Sequence, residues 1–330
     1  MDLNQRNKAA ALALWERLDR DPASALSLVE GIPHWQAPDP VGARDGAVVL
    51  AALFVPLRAE VPDLTRKLHL FCGGVSSAQE DGGGDGAHWV AGTGYYTGRA
   101  TGDLFGMPTR GQDLRLRWGE FLSFDAEGQV TRAQTIWDFA DLCDLIGHPI
   151  LPKPRGEAHV YPAPTAYDGV LRDAQDDATS AATLELGRAF IFGALNGFDE
   201  ADLDSMGMER FFHPNVKWYG PGGIGACLSL EEFQSRHQAP WLTAFPDRKV
   251  LHLESLFAED RLLAGSGPRG VLATHGGPYL GHAATGRKLE VSGLDFWLRT
   301  GGQFTENWVF VDMPHLFRQM GIDLFERFRG

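Results

Sequence analysis

Two stretches of the sequence, GDLFGMPTRG at residues 102–111 and GPYLGHAATG at residues 277–286, are copies of one pattern. Their three glycines are separated by the same intervals of four and five residues. Nine residues beyond the third glycine, each copy has an acidic residue followed by phenylalanine, at 120–121 and at 295–296. Because an agreement of this length is improbable by chance, the sequence predicts a duplicated structural unit.

The repetition continues on both sides of the glycines. A β-like run ends in an aspartate in each copy, Asp138 and Asp312, and each aspartate precedes a glycine by nine residues. Upstream, Trp35 precedes a Pro-Asp pair by 27 residues, and Trp218 precedes another by 28. The sequence therefore predicts two homologous domains of about 150 residues, which is an ordinary domain size.

The boundary between the two domains is marked by proline. Residues 149–168 contain five prolines and show no hydrophobic periodicity. Proline fixes φ and removes a hydrogen-bond donor, so such a stretch forms a semi-rigid connector. We expect a first domain at residues 1–150, a linker at 151–178 and a second domain at 179–330.

The composition restricts the class of function. Acidic residues outnumber basic ones by 43 to 30, and the net charge of −13 argues against binding to nucleic acid or to an anionic membrane. The sequence has no run of 18 apolar residues and no apolar signal-peptide core near its start. Three cysteines without a C-x-x-C pair fit a reducing compartment, so we expect a cytoplasmic protein. The scattered histidines form no H-E-x-x-H pair, and we expect no metal site.

Hydrophobic periodicity predicts helices followed by strands in each domain, the order of an α+β fold. The predicted helices lie near 7–20, 47–58, 182–196, 229–243 and 314–320. The predicted strands lie near 66–72, 87–98, 112–124 and 129–137, and near 249–257, 261–274, 287–299 and 303–311. Ser229 with a glutamate three positions on predicts the start of the helix at 229.

Four acidic residues stand out in this pattern. Glu120 and Asp295 are in mid-strand and in phase with aliphatic and tryptophan residues, so they are predicted to point into apolar surroundings. Burial raises the pKa of a carboxyl group, which makes both acids candidates for a functional site, although pairing with a buried arginine is an alternative. Asp138 and Asp312 end their strands, and a helix-capping role alone would also account for them.

Over its second half the sequence resembles the SnoaL-like polyketide cyclase family of the NTF2-like superfamily. The resemblance rests on the glycine pattern at 277–286, on the stretches WYGP at 218–221 and HQAPW at 237–241, and on the run from Glu306 to Gly321. It covers nearly all of the second domain, and in the first it is strongest at 102–147. It implies two tandem cone-shaped domains, each a curved antiparallel sheet wrapped around N-terminal helices.

The resemblance also implies a reaction: aldol ring closure of a polyketide ester, run by acid–base chemistry without metal or cofactor. The family's acid–base aspartate corresponds to Asp312. We predict a catalytic group of Asp312, Asp295, His237 and His275, acting as a cyclase, lyase or isomerase on a small hydrophobic carbonyl compound. The predicted pocket-lining residues are Trp218, Tyr219, Trp241, Trp297 and Trp308.

The first domain keeps the acidic counterparts, Glu120 and Asp138, but has leucine or alanine where the second domain has its histidines. We therefore predict a degenerate pocket in the first domain and a better-equipped one in the second, with the two domains packed as a pseudo-dimer. A homo-oligomer remains open.

Two other functions remain open for this sequence. One is a hydrolase of the same fold, in which an acid activates water against an epoxide or an ester. The other is a binding module whose pocket holds an apolar molecule without reaction. Catalysis predicts that the acids and His237 share one pocket, whereas binding alone predicts acids held by arginines or backbone donors.

Overall fold

The computed structural model describes residues 2–80, 83–157, 160–199, 202 and 204–328. Within these ranges the chain forms two β-sheets, one before and one after the proline-rich segment. We call each sheet with its helices the first unit and the second unit. None of the helices described here combines the length and the apolar character needed to cross a membrane.

The sheet of the first unit has six strands in the order β2-β1-β6-β5-β4-β3. Its strands are β1 (His34–Gln36), β2 (Ala43–Arg44), β3 (Thr65–Val75), β4 (His88–Arg99), β5 (Asp113–Phe124) and β6 (Val130–Trp137). Its helices are α1 (Leu3–Arg20), α2 (Leu26–Val29), α3 (Gly46–Val49), α4 (Val55–Glu60) and α5 (Phe139–Leu145). A π-helical segment, Leu50–Phe54, joins α3 to α4, and a 3₁₀ turn lies at Pro22–Ala25.

The second unit repeats this arrangement. Its sheet has the order β8-β7-β13-β12-β11-β10, and β9 pairs with β11. The strands are β7 (Phe212–Tyr219), β8 (Ala226–Cys227), β9 (Lys249–Val250), β10 (Ser255–Glu259), β11 (Leu262–Thr274), β12 (Lys288–Thr300) and β13 (Gln303–Val311). The helices are α6 (Asp177–Arg188), α7 (Leu230–Phe233), α8 (Ala239–Ala244) and α9 (Met313–Met320), with π-helical segments at Ala189–Leu195 and Gln234–Gln238 and 3₁₀ turns at Met208–Arg210 and Glu326–Phe328.

Each sheet contains one parallel pair, β1 with β6 and β7 with β13. The predicted α+β class with antiparallel sheets is confirmed, and each sheet adds one parallel pair. The cause is a strand near the start of each unit that joins the last long strand in the same direction. The remaining strand pairs are antiparallel, so the fold is α+β with two antiparallel-dominated sheets.

The strand registers of the two units correspond residue by residue around the mid-strand acids. Glu120 lies opposite Gly92 on the neighbouring strand, and Asp295 lies opposite Gly265. The next residue in each strand points to the other face, because side chains alternate along a strand. Both sites therefore pair an acid on the inner face with a phenylalanine on the outer face.

The outer faces of the two sheets pack against each other. The phenylalanines that follow the two acids, Phe121 and Phe296, meet here with ring centroids 5.2 Å apart. They belong to one hydrophobic cluster that also contains Trp89, Phe257 and Trp308. This cluster is separate from the two cores on the inner faces.

Two equivalent hydrogen bonds cross between the units. Asp138 caps α5 and also accepts from the backbone N–H of Gly222 in the second unit, at 2.9 Å. Asp312 caps α9 and also accepts from the backbone N–H of Asp39 in the first unit, again at 2.9 Å. Gly222 and Asp39 each lie four residues after the repeated tryptophan, so the contact is reciprocal.

The connector is attached to the first unit. The backbone of Phe71 in β3 donates to Gly169 and accepts from Leu171, at 2.8 and 2.9 Å. Next to this contact, the Lys8 ammonium of α1 donates to the Leu171 carbonyl at 2.7 Å and pairs with Glu259 of β10 at 2.5 Å. Lys8 therefore links the first helix, the connector and the second sheet at one buried point.

Candidate functional site

The inner face of the second sheet and the helices that cover it enclose a cavity of about 210 Å³. Most of its wall is made of aromatic and aliphatic side chains. These include Phe190, Ile191, Trp218, Trp241, Trp297 and Val311. Its polar side chains include His237, Gln238, Arg248, Ser266, Asp295 and Asn307. A mostly apolar cavity with a few convergent polar groups is the usual form of a small-molecule site.

Asp295 is the one carboxylic acid among the described residues that line the cavity. It accepts a long hydrogen bond of 3.5 Å from Asn307, whose amide makes a better one, 2.9 Å, to the carbonyl of Phe296. Burial raises the pKa of Asp295 to about 7, against smaller opposing effects of Asn307 and Arg117. This carboxyl group therefore keeps its proton to a higher pH than a solvated aspartic acid does.

His237 lies in the π-helical segment between α7 and α8, with its ring stacked on Trp218 at a centroid distance of 4.1 Å. Burial, helped by the charge of Arg248, lowers the pKa of His237 to about 3. The ring is thus neutral at physiological pH, with one nitrogen able to donate and one able to accept.

Arg248 follows α8 and reaches the cavity wall beside the sheet. Its guanidinium donates to the carbonyl of Leu195 at 3.2 Å and contacts the sulfur of Met206 at 2.9 Å. It also lies 4.8 Å from the ring centre of Phe198. Burial lowers its pKa to about 10, so the group remains a cation at neutral pH.

The first unit has no comparable polar wall at the equivalent positions. Counting from the repeated Pro-Asp pairs, Leu53, Phe54 and Leu64 stand where the second unit has His237, Gln238 and Arg248. In the parallel strand pair, Trp35 lies opposite Ala133, whereas Trp218 lies opposite Asn307. Four polar residues of the second unit thus replace four apolar ones of the first.

Large aromatic side chains occupy the interior of the first unit. Trp137 packs on Phe54 and Tyr96, with ring centroids 5.3 and 5.7 Å away, at a position where the second unit has Val311. Glu120, the counterpart of Asp295, accepts hydrogen bonds from the indole of Trp15 and from the hydroxyl of Thr135. Both oxygens of this acid are therefore engaged by protein groups.

The structure brings together five of the residues predicted for the site. Asp295, His237, Trp218, Trp241 and Trp297 all line the cavity. Asp295 and Trp297 share a strand face, and the helical segments bring His237 and Trp241 over that face.

The other four predicted residues lie outside the cavity wall. Asp312 is turned to the N-terminus of α9 and to Asp39, and burial raises its pKa to about 7 there. His275 contacts the hydroxyl of Thr285 at 3.1 Å. Tyr219 and Trp308 are on the outer strand faces and pack between the sheets, with centroids 5.3 Å apart.

Asp138, the first-unit counterpart of Asp312, likewise caps its helix and bonds across the unit interface. Arg117 lies 3.8 Å from its carboxylate and donates to the carbonyls of Tyr219 and Gly220. Burial raises the pKa of Asp138, and Arg117 opposes that rise.

Arg248, Gln238 and Asn307 also line the cavity and were not predicted from the sequence. A signal for them was present, because each replaces an apolar residue of the first unit. Comparing the copies position by position along the strands and helices would have found them. Across the described ranges no three histidine, cysteine or acidic side chains are grouped closely enough to hold a metal ion.

Residues 194–320 match the family model of the SnoaL-like polyketide cyclases. Solved structures that match part of this chain include one described as a SnoaL-like polyketide cyclase from Jannaschia sp. CCS1 (16% identity, 44% of this chain, 97% of that chain, TM-score 0.37). Another is AclR from Streptomyces galilaeus (22% identity, 43% of this chain, 82% of that chain, TM-score 0.36). A third is TsrD from Streptomyces laurentii (23% identity, 43% of this chain, 96% of that chain, TM-score 0.35). No curated protein matches the chain.

The family resemblance predicted from the sequence is confirmed over residues 194–320, and the α+β class is confirmed by the two sheets and their helices. Over these residues the chain is thus similar to the SnoaL-like polyketide cyclases.

Proposed function

We propose that the second unit binds a hydrophobic carbonyl compound in its cavity. Asp295 then transfers a proton from or to the carbon next to the carbonyl group, without a cofactor. The observation that carries this proposal is a carboxylic acid with one weak protein partner on the wall of a mostly apolar cavity. A base acts best when its pKa is close to the working pH, and burial places Asp295 in that range.

Removing a proton next to a carbonyl leaves an enolate, whose oxygen needs a hydrogen-bond donor. The neutral ring of His237, held in place by its stacking on Trp218, supplies an N–H in the same cavity. An enolate can be reprotonated at another carbon, which is isomerisation, or can attack a second carbonyl of the same molecule, which is aldol ring closure. In either case protonated Asp295 then returns its proton, to the other carbon in isomerisation or to the alkoxide oxygen that ring closure leaves.

Binding without catalysis is the second candidate, and one observation favours it. The first unit buries the homologous acid, Glu120, in a filled interior where both oxygens are bonded. This fold can therefore retain an inner-face acid for structural reasons alone. The two candidates differ in whether a bound ketone exchanges its protons.

The pH dependence of proton exchange tests the proposal. In D₂O, the purified protein should speed deuterium uptake at the carbon next to the carbonyl of tetralone, a bicyclic aryl ketone, followed by proton NMR. The rate per protein should rise about tenfold per pH unit below about pH 7 and level off above it, because Asp295 acts when ionised. Tetralone binding with no exchange above the buffer rate would instead identify a binding protein.

A further inference from the structure

Arg248 is a buried cation to which the described structure gives no anionic partner. Arg248 is only 9% exposed to solvent. Its hydrogen-bond acceptors, a backbone carbonyl and a thioether, are both neutral. No described carboxylate lies within ion-pair distance of it.

Burying an unpaired charge is costly, and arginine does not escape the cost by losing its proton at neutral pH. The fold does not require a cation at this position, because the first unit has Leu64 there. Leu64 and Arg248 also make the same backbone hydrogen bond, to Val61 and Phe245 respectively. The charge is therefore a feature of this cavity rather than of the scaffold.

Arg248 and the proton-transferring carboxyl group of Asp295 come from different elements of the cavity wall. Its charge acts on His237, whereas the arginine whose charge acts on Asp295 is Arg117 of the first unit. The cavity thus has a cationic part at Arg248, in the turn after α8, and an acidic part at Asp295, on β12. A ligand that reaches both parts would place a negative group at one and its reactive carbon at the other.

We propose that Arg248 binds an anionic oxygen of the ligand, so that the ligand class is a hydrophobic carbonyl compound that also carries an acidic group. This inference rests on the proposed function and specifies its substrate. A guanidinium pairs with an anionic oxygen through charge-assisted hydrogen bonds, which are stronger than those of neutral donors. The acidic group is a carboxylate or the ionised enol of a dicarbonyl compound, and both present the same anionic oxygen.

Calorimetric binding of two matched probes tests the inference: naphthoate, and acetylnaphthalene as its neutral counterpart of similar size. Wild-type protein should bind naphthoate about tenfold or more tightly than acetylnaphthalene. Arg248→Gln should lose that preference while keeping its affinity for acetylnaphthalene, and Arg248→Lys should keep part of it. Acetyltetralone, an enolisable dicarbonyl, identifies the enol as the source if it binds more tightly as it ionises.

Equal binding of the two probes by wild type, or an unchanged preference in Arg248→Gln, would overturn the inference, as would the failure of wild type to bind either probe. Thermal unfolding of Arg248→Gln and Arg248→Lys shows whether each variant is folded, so that a lost preference in a folded variant reports loss of the anion site. The lysine variant retains the positive charge and serves as the control for charge. Asp295→Asn should retain the preference for naphthoate. If wild type prefers naphthoate over acetylnaphthalene but does not exchange ketone protons, only the proposed reaction is refuted. If it exchanges ketone protons but shows no preference for naphthoate, only the anion site is refuted.

Discussion

Asp295→Asn is expected to slow the exchange of ketone protons by about 10²- to 10⁴-fold, the usual contribution of a positioned acid–base group. The amide has nearly the same shape as the carboxyl group, so the cavity should keep its form and still bind the ketone. It cannot accept a proton at neutral pH, and the pH-dependent rise of the rate should disappear with it. Exchange followed by proton NMR, with ketone affinity measured in parallel, gives both quantities.

The matched control is Glu120→Gln, which alters the homologous acid of the first unit. It should leave the exchange rate per folded molecule unchanged, because Glu120 is engaged by Trp15 and Thr135 away from the cavity. Asp312→Asn tests the aspartate that the family resemblance favours. If Asp312→Asn stops exchange while Asp295→Asn does not, Asp312 is the acid–base residue and our assignment is wrong.

Stability provides a check on the folding of Asp295→Asn. The pKa of Asp295 rises from an unfolded value of about 3.9 to about 7 on folding. Its contribution to stability is therefore fully present below about pH 4 and is lost as the pH rises to about 7. The amide does not ionise, so the variant should gain stability relative to wild type as the pH rises through this window.

Lys8→Met is expected to lower the free energy of unfolding by about 3–5 kcal/mol, because it leaves the buried carboxylate of Glu259 without its cation. Lys8 is 1% and Glu259 is 4% exposed, so water cannot replace the lost partner. The variant also loses the ammonium donor to the Leu171 carbonyl of the connector. Urea unfolding monitored by circular dichroism measures the loss.

Arg20→Met is the matched control for this change. Arg20 forms an ion pair with Glu16 on the same helix, but the two side chains are 78% and 68% exposed. Exposed pairs of this kind contribute about 0.5 kcal/mol or less. Adding Glu259→Gln to Lys8→Met removes the orphaned charge and should recover part of the loss. A cost for Lys8→Met as small as that of the control would show that the buried pair does not hold the units together.

The long elements of the fold were predictable from local pattern. β11, β12 and β13 begin and end within one residue of their predicted bounds, because turn residues such as Glu259-Asp260 and Gly301-Gly302 mark the ends of the strands. The predicted cap at Ser229 is confirmed by its hydrogen bond from the backbone of Glu232, at 3.2 Å. β7 was not predicted, because Pro214 and Asn215 interrupt its alternation and its pairing with β13 is remote in sequence.

The candidate site was predictable only where strand phase decides it. Alternation along β12 placed Asp295 on the inner face, and the structure has it there. The side chain of Asp312 is directed instead by Asp39, a residue 273 positions away in the other unit, and no local pattern contains that contact. The position of Arg248 likewise depends on how the turn after α8 packs beneath the sheet.

Carbon-13 NMR of the Asp295 carboxyl group tests most directly whether this residue is an acid–base group that faces the ligand. We predict a titration midpoint near pH 7 in the free protein and a shifted midpoint when acetylnaphthalene fills the cavity. The assignment comes from the resonance that disappears in Asp295→Asn. A midpoint near pH 4 that the ketone does not change would contradict the account, because such a carboxylate is solvated and does not contact the ligand.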